Sequence, residues 1–268
     1  MALVPFPGPQ SGALQAASAE DDDESVGGRM SFLDHLDELR RRIINACLGI
    51  GVGVLAGFFF IEQIFNFLMT PARQVLPPGS SMIYTQPGEA FGLWITVSLI
   101  AGALIASPFI MLQVWLFIAP GLYAHEKRFA IPFVLFSTIG FIGGAAFNHY
   151  VAFPFIMAFF ASFNSIDLRF MPRLQDVFGL YTKMLLGIGI IFQMPAVVFF
   201  LAKMRLVTAR FLAKNFKFAI LLIFITAAVI TPTGDPMTQA IFAAPMLVLF
   251  GLSIVVAWLV APRKIEAS

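Results

Sequence analysis

Apolar residues run almost unbroken through six stretches of this chain. They lie at about Ile43 to Ile61, Phe91 to Ile118, Pro132 toward Phe163, Leu180 to Ala202, Phe218 to Ile230 and Ala240 to Val260. A hydrocarbon core of ~30 Å takes about 20 helical residues to cross, so the pattern predicts six transmembrane helices. The second span carries Pro108, and the third exceeds the bilayer and must tilt or project near Pro154. The fifth falls short, at roughly 20 Å for a rise of 1.5 Å per residue. A span that short thins the lipid locally or shelters behind its neighbours.

Between and before these runs the polar positions define the rest. Residues 1–28 are rich in Pro, Gly, Ala and Ser and hold the acidic run Glu20 to Glu24. With no basic head or apolar core this is not a secretory signal, and it is expected to be a disordered tail. Residues 29–264 then form one six-span membrane domain. In Ser31 to Arg42, Phe32, Leu36, Leu39 and Ile43 recur at helical spacing. Ser31 with Asp34 resembles a capping box, and acidic residues precede basic ones as the helix dipole favours. This predicts an amphipathic helix at the interface, leading into the first span. A hairpin is expected at Pro120-Gly121, with a charged tip of His125, Glu126, Lys127 and Arg128.

The basic residues orient the chain. Arg29, Arg40, Arg41, Arg42, Lys127, Arg128, Lys203, Arg205, Arg210, Lys214, Lys217, Arg263 and Lys264 all fall on one side of the six runs. Arg73, Arg169 and Arg173 fall on the other, with Lys183 at a span edge, expected to snorkel to the headgroups. The positive-inside bias therefore predicts both termini in the cytoplasm. On the outside, Glu62 to Ala90 holds Pro71 and Glu89 and a short helical pattern around Ile64, Phe65 and Leu68. Asn164 to Asp176 and the tight turn Thr231 to Gln239, with Asp235, complete an expected outer cap.

Composition narrows the chemistry. With 59% apolar and 12% charged residues the chain is an integral membrane unit, not a pair of soluble domains. The single cysteine, Cys47, precludes an internal disulfide, and a net charge of +2 gives no electrostatic support for a nucleic-acid partner. HEKRF at His125 lacks the second histidine of a zinc-binding H-E-x-x-H, and no P-loop or dinucleotide fingerprint occurs. Neither the aspartyl nor the serine signature of intramembrane proteases is present, so no enzyme, metal or cofactor is expected.

A few polar residues remain. Glu38 reads most simply as an ion pair with Arg41 or Arg42, worth ~0.3–0.5 kcal/mol. Glu126 has Lys127 and Arg128 beside it. Two carboxylates on a basic edge also suit a cationic ligand, since Arg binds carboxylate through two bonds. Gln193 sits mid-span and must face protein or a wet groove, with a helix-packing hydrogen bond the simplest reading. Pro195 frees a backbone carbonyl at the same depth. Trp115 and Phe117 read as interfacial aromatics. His149, near the outer part of the third span, has no assigned job.

Four motifs carry a resemblance. SFLDHLDELRRRI from Ser31, PGEAF from Pro87, ASPFIMLQVWLFIAPGLYAHEKR from Ala106 and TPTGDPMTQ from Thr231, in that order, resemble TatC, the multispanning receptor subunit of the twin-arginine protein translocase. The likeness covers about Ser31 to Lys264. It implies an all-α, curved, glove-like bundle with short fifth and sixth helices in a bacterial cytoplasmic (inner) membrane. It implies recognition of paired arginines in signal peptides of folded cargo, with Glu38 and Glu126 as the contacting carboxylates. Arg40 and Phe117 match functionally sensitive family positions, Pro71 the proline of the first outer loop and Pro108 that of the second span. Gln193 stands where many relatives have glutamate, so this position cannot ionise here, though an amide still lines the groove. Implied too are self-association, TatA- and TatB-type single-span partners and drive by the proton gradient. A small-solute secondary transporter is the alternative; it needs a charged or unwound midplane site, and Gln193 is nearly all the sequence offers for one.

Overall fold

The computed structural model describes residues 32–76, 81–119, 130–165, 169–231 and 235–260. The acidic tail, Ser31, the hairpin tip with Glu126 and the C-terminal basic pair lie outside them. Helix α1 (Phe32–Phe58) is continuous, so the amphipathic stretch is not a separate interfacial helix but the first turns of the span itself. Helix α2 (Ile61–Val75) is the predicted short outer helix, with Pro71 buried inside it. Next come α3 (Glu89–Ile105) and α4 (Ser107–Ile118). The third run gives α5 (Ala130–Phe147), a π-helical turn Asn148–Ala152 and α6 (Phe153–Ala161). Helices α7 (Leu174–Ile191), α8 (Met194–Lys203), the short α9 (Ala209–Lys214), α10 (Phe216–Ile230) and α11 (Pro236–Val260) complete the described chain.

Among the described residues four helices are long and apolar enough to cross a membrane, a fifth if α3 and α4 count as one bent span, and α10 is a shorter apolar helix. Each interruption has a backbone cause. The second span is not one straight helix: it bends by 60° between α3 and α4. Pro108, in the first turn of α4, has no N–H to give the Leu104 carbonyl and its ring crowds that turn. In the third span Pro154 is met differently. The Phe153 N–H reaches back to the Asn148 carbonyl, a widened turn that accommodates the proline without a sharp kink. Between α7 and α8 the Gln193 N–H bonds the Ile190 carbonyl at 3.0 Å, a tightened turn before Pro195.

Helix α10 has 15 residues, about 22 Å at 1.5 Å per residue, and is short as expected. The sixth run is not short. Helix α11 has 25 residues; it opens at Pro236, where a missing N–H costs nothing, and the Asp235 carboxylate accepts the Thr238 N–H at 2.7 Å.

Buried side chains of α2, α3, α6, α7 and α11 form the main core, with Met69, Val97, Phe153, Ile156, Tyr181 and Met246 nearly or fully enclosed. Large apolar side chains such as Val52, Ile131, Ile190 and Val229 point outward, as in a bundle solvated by lipid. Trp115 is not interfacial. It is 2% exposed and packs against Phe133 and Phe200, because the bend at Pro108 turns that face of α4 onto α5 and α8.

Helix α1 is held to α3 by glycines. A Cβ on Gly53 would stand 2.5 Å from the Gly102 carbonyl oxygen, and one on Gly102 would stand 2.7 Å from the Val54 nitrogen. The two backbones touch, the closest approach two helices can make.

The segments that lead into α3 and α7 are tied together at the end of the bundle where those helices begin, here called the distal end. Ile83 pairs with Arg173 in an isolated parallel bridge, with the Leu174 N–H bonding the Ile83 carbonyl at 2.8 Å. The Arg173 guanidinium donates to Glu89 at 2.6 Å, and that carboxylate also accepts from the Thr85 N–H and hydroxyl at 3.0 and 3.2 Å. The bond it donates to Glu89 raises the Arg173 guanidinium above its ordinary value. Arg173→Ala is therefore expected to lower the melting temperature of the detergent-solubilised protein by leaving a carboxylate with 1% side-chain exposure without its cation. Adding Glu89→Gln is expected to restore part of the loss. Equal melting of Arg173→Ala and the parent protein would remove this strut from the account.

Candidate functional site

At the opposite, proximal end, α1 begins and α4 ends. Because α1 and α4 run antiparallel there, residues early in α1 meet residues late in α4. The imidazole of His35 stacks on the Phe117 ring with centroids 4.5 Å apart and planes at 26°. Two turns further along α1, Arg42 reaches the Gln113 side-chain oxygen at 3.4 Å. His35, Glu38 and Arg42 fall at helical spacing on one face of α1, and Gln113 and Phe117 on one face of α4. Glu38 thus lies along the seam between the two contacts.

The seam sets the state of that carboxylate. Arg42 Nε donates to Glu38 Oε1 at 2.7 Å, and its Nη2 forms an ion pair with the same oxygen. Their side chains are 23% and 16% exposed respectively, so the pair is accessible from one side only. This is the local pair expected from spacing, with Arg42 rather than Arg41 as partner. Arg40 points away and is exposed, while Phe117 is half-buried against His35. An aromatic ring of α4 and a carboxylate of α1 therefore share one seam, with His35, one turn before Glu38, stacked on the ring. Such a seam suits a guanidinium followed by an apolar segment: the carboxylate takes the fork and the ring takes the stacked plane.

The other candidate residues fall elsewhere. Glu126 belongs to the segment joining α4 to α5 and lies outside the described residues. Gln193 sits at the break between α7 and α8, where its side-chain amide donates to the Ser137 carbonyl of α5 at 3.0 Å. The helix-packing reading of that residue is the observed one. The backbone is pinched there as well, since a Cβ on Gly140 would come within 2.8 Å of the Phe192 carbonyl oxygen. Pro108 is exposed at the bend, Pro71 is buried in α2, Glu89 is paired to Arg173 and Asp235 caps α11. The last three serve the distal end and are not part of the seam.

Sequence reasoning missed His35 and Gln113. Each joins the seam only through the pairing of α1 with α4, which sets His35 on Phe117 and Gln113 against Arg42. The signal for Gln113, an amide inside an apolar run, was legible; that for His35 was not, because it sits among charged residues in SFLDHLDEL. It also left His149 without a role. His149 is buried in the π-helical turn, its ring stacked on Phe67 at 4.1 Å and its Nδ1 3.4 Å from the Tyr181 hydroxyl. It joins α2, the third span and α7 as a packing element.

Comparison with known proteins is consistent across the chain. Residues 34–245 match the family model described as Sec-independent protein translocase protein (TatC). A Sec-independent protein translocase protein TatC of Koribacter versatilis (strain Ellin345) is 41% identical over 254 residues, covering 93% of this chain and 92% of the relative. A protein of the same name from Helicobacter pylori (strain J99) is 39% identical over 228 residues, 85% of this chain and 89% of the relative. Two crystal structures of the twin arginine translocase receptor TatC superpose on it. One has a TM-score of 0.69 at 33% identity over 83% of this chain and 97% of that one; the other, in DDM, has 0.71 at 34% over 82% and 98%.

Proposed function

This chain belongs to the TatC family of Sec-independent protein translocase proteins, and from that premise we propose that its proximal α1–α4 seam receives the arginine pair of twin-arginine signal peptides. The observation that carries the reading is the stacking of Phe117 on His35 beside Glu38, which joins residues some eighty positions apart into one surface. One guanidinium bonds Glu38 in place of Arg42, and Glu126, in the neighbouring α4–α5 segment, takes the other. The apolar part of the signal then lies along the lipid-facing groove near Pro108 and the α7–α8 break at Gln193.

The basic residues of the proximal end support placing it in the cytoplasm, with both termini inside and six spans in a bacterial inner membrane. Signal binding then precedes assembly with TatA- and TatB-type single-span subunits and with further copies of this chain. Transport draws on the proton gradient, and Gln193 contributes polarity but no titrating proton.

A photo-crosslinking residue at position 117 tests this in membranes energised as in the cell. It is expected to capture a twin-arginine signal peptide, with capture falling about tenfold when both arginines are changed to lysine, because an ammonium cannot form the two-bond fork. Equal capture of both peptides, or capture only by a probe at the distal position 91, would refute the seam as the receptor.

A further inference from the structure

The distal end holds a second feature that signal recognition does not use. A cleft of about 500 Å³ runs between the first turns of α3 and α7, a size ordinary for small-ligand sites. Its walls include Gly92, Thr96, Gln175, Gly179, Thr182 and Lys183. Open space is built into both sides: a Cβ on Gly92 or on Gly179 would meet nothing within 4 Å. The floor is apolar, since Leu93 and Phe178 are buried beneath it.

Charge and hydrogen bonding define what fits. Glu89 at the mouth is already satisfied by Arg173 and Thr85. Lys183 makes no hydrogen bond or ion pair to any described residue, so the cleft carries one uncompensated cation. The hydroxyls of Thr96 and Thr182 spend their protons on the Gly92 and Phe178 carbonyls, at 2.9 Å each, leaving only acceptor lone pairs for a ligand. The complementary ligand is therefore an anion that also brings hydroxyl donors. A zwitterionic headgroup fits less well, because its cation would meet Lys183 while the carboxylate lining the cleft, Glu89, is held by Arg173 and Thr85. The cleft lies beside the outward-facing Phe91 and Ile95, so lipid reaches it directly.

We propose that this cleft binds the headgroup of an anionic, hydroxyl-bearing phospholipid. Its phosphodiester sits on the Lys183 ammonium and its hydroxyls donate to Thr96 and Thr182.

The test uses the full chain, delipidated in a neutral detergent and titrated with phosphatidylglycerol, phosphatidylcholine or inorganic phosphate. Native mass spectrometry reads lipid retained, and thermal unfolding reads the stabilisation. Phosphatidylglycerol is expected to be retained and to raise the melting temperature, phosphatidylcholine not. Lys183→Gln is expected to weaken retention about tenfold, the worth of one charge-assisted bond. Gly179→Leu, which fills the open wall, is expected to weaken it similarly, and Lys183→Arg to retain binding if Lys183→Gln fails to fold. Equal binding of phosphatidylcholine, undiminished binding by Lys183→Gln, or loss of binding in Lys183→Arg would overturn the proposal. So would an equal shift with inorganic phosphate alone, which would assign the cleft to a free anion. None of these readouts involves a signal peptide, so they stand apart from the proximal site.

Discussion

Gly53→Ala is expected to prevent this protein from accumulating in folded form, although it adds a single methyl group. That methyl would stand 2.5 Å from the Gly102 carbonyl oxygen and 2.9 Å from the Gly102 Cα, both backbone atoms of the facing helix. A flexible side chain can swing aside, but a helix backbone cannot, so α1 must lift away from α3 along its whole contact. Overpacking of this kind costs about 1–3 kcal/mol and more where the obstruction is rigid. Lifting α1 also separates Glu38 and His35 from α4, so the seam goes with the crossing. Gly51, two residues earlier on the same helix, has nothing within 4 Å of its Cβ position and is the matched control. Membrane-fraction yield and thermal unfolding of the pair decide the matter. Parent-like stability of Gly53→Ala would mean that the crossing is looser than described.

The second large effect is functional. Glu126→Ala is expected to abolish export of twin-arginine substrates while the protein still inserts and folds. A charge-assisted Arg–carboxylate contact is worth about 1.5–3 kcal/mol, or roughly 10- to 150-fold in binding. Glu38→Ala should be milder. A guanidinium arriving there only exchanges with Arg42 for the same carboxylate oxygen, so less net binding is lost with Glu38 than with Glu126. Export assays of a reporter fused to a twin-arginine signal, beside a count of chain in the membrane, separate the two. Normal export by Glu126→Ala would refute the proposed pair of carboxylates.

What the sequence made legible follows from the solvent. Hydrocarbon thickness forces long apolar runs, so their rough limits could be read directly, including the shortness of α10. Prolines announced irregularity, but the backbone answered each one differently. Pro108 gives a 60° bend, Pro154 follows a π turn and Pro236 opens a helix where a turn was expected. Which answer prevails depends on the helices packed against that face, and no single run contains that information. Contacts between distant residues were beyond reach for the same reason. Glu89 and Arg173 lie 84 positions apart, and neither run names the other. His35 and Phe117 were equally unconnected until α4 turned back along α1. Trp115 shows the opposite error: near the end of a span it resembled a boundary residue, yet the bend directs it inward.

The pairing of Arg42 with Glu38 has a kinetic consequence. Because Arg42 already holds the Glu38 oxygen, an arginine recognised as proposed would exchange one bond for a nearly identical one, with the tethered side chain a single helical turn away to reclaim its place. Docking on such terms would be shallow and quickly undone, so that a large cargo would be released to the next step without the departing peptide leaving a bare charge behind.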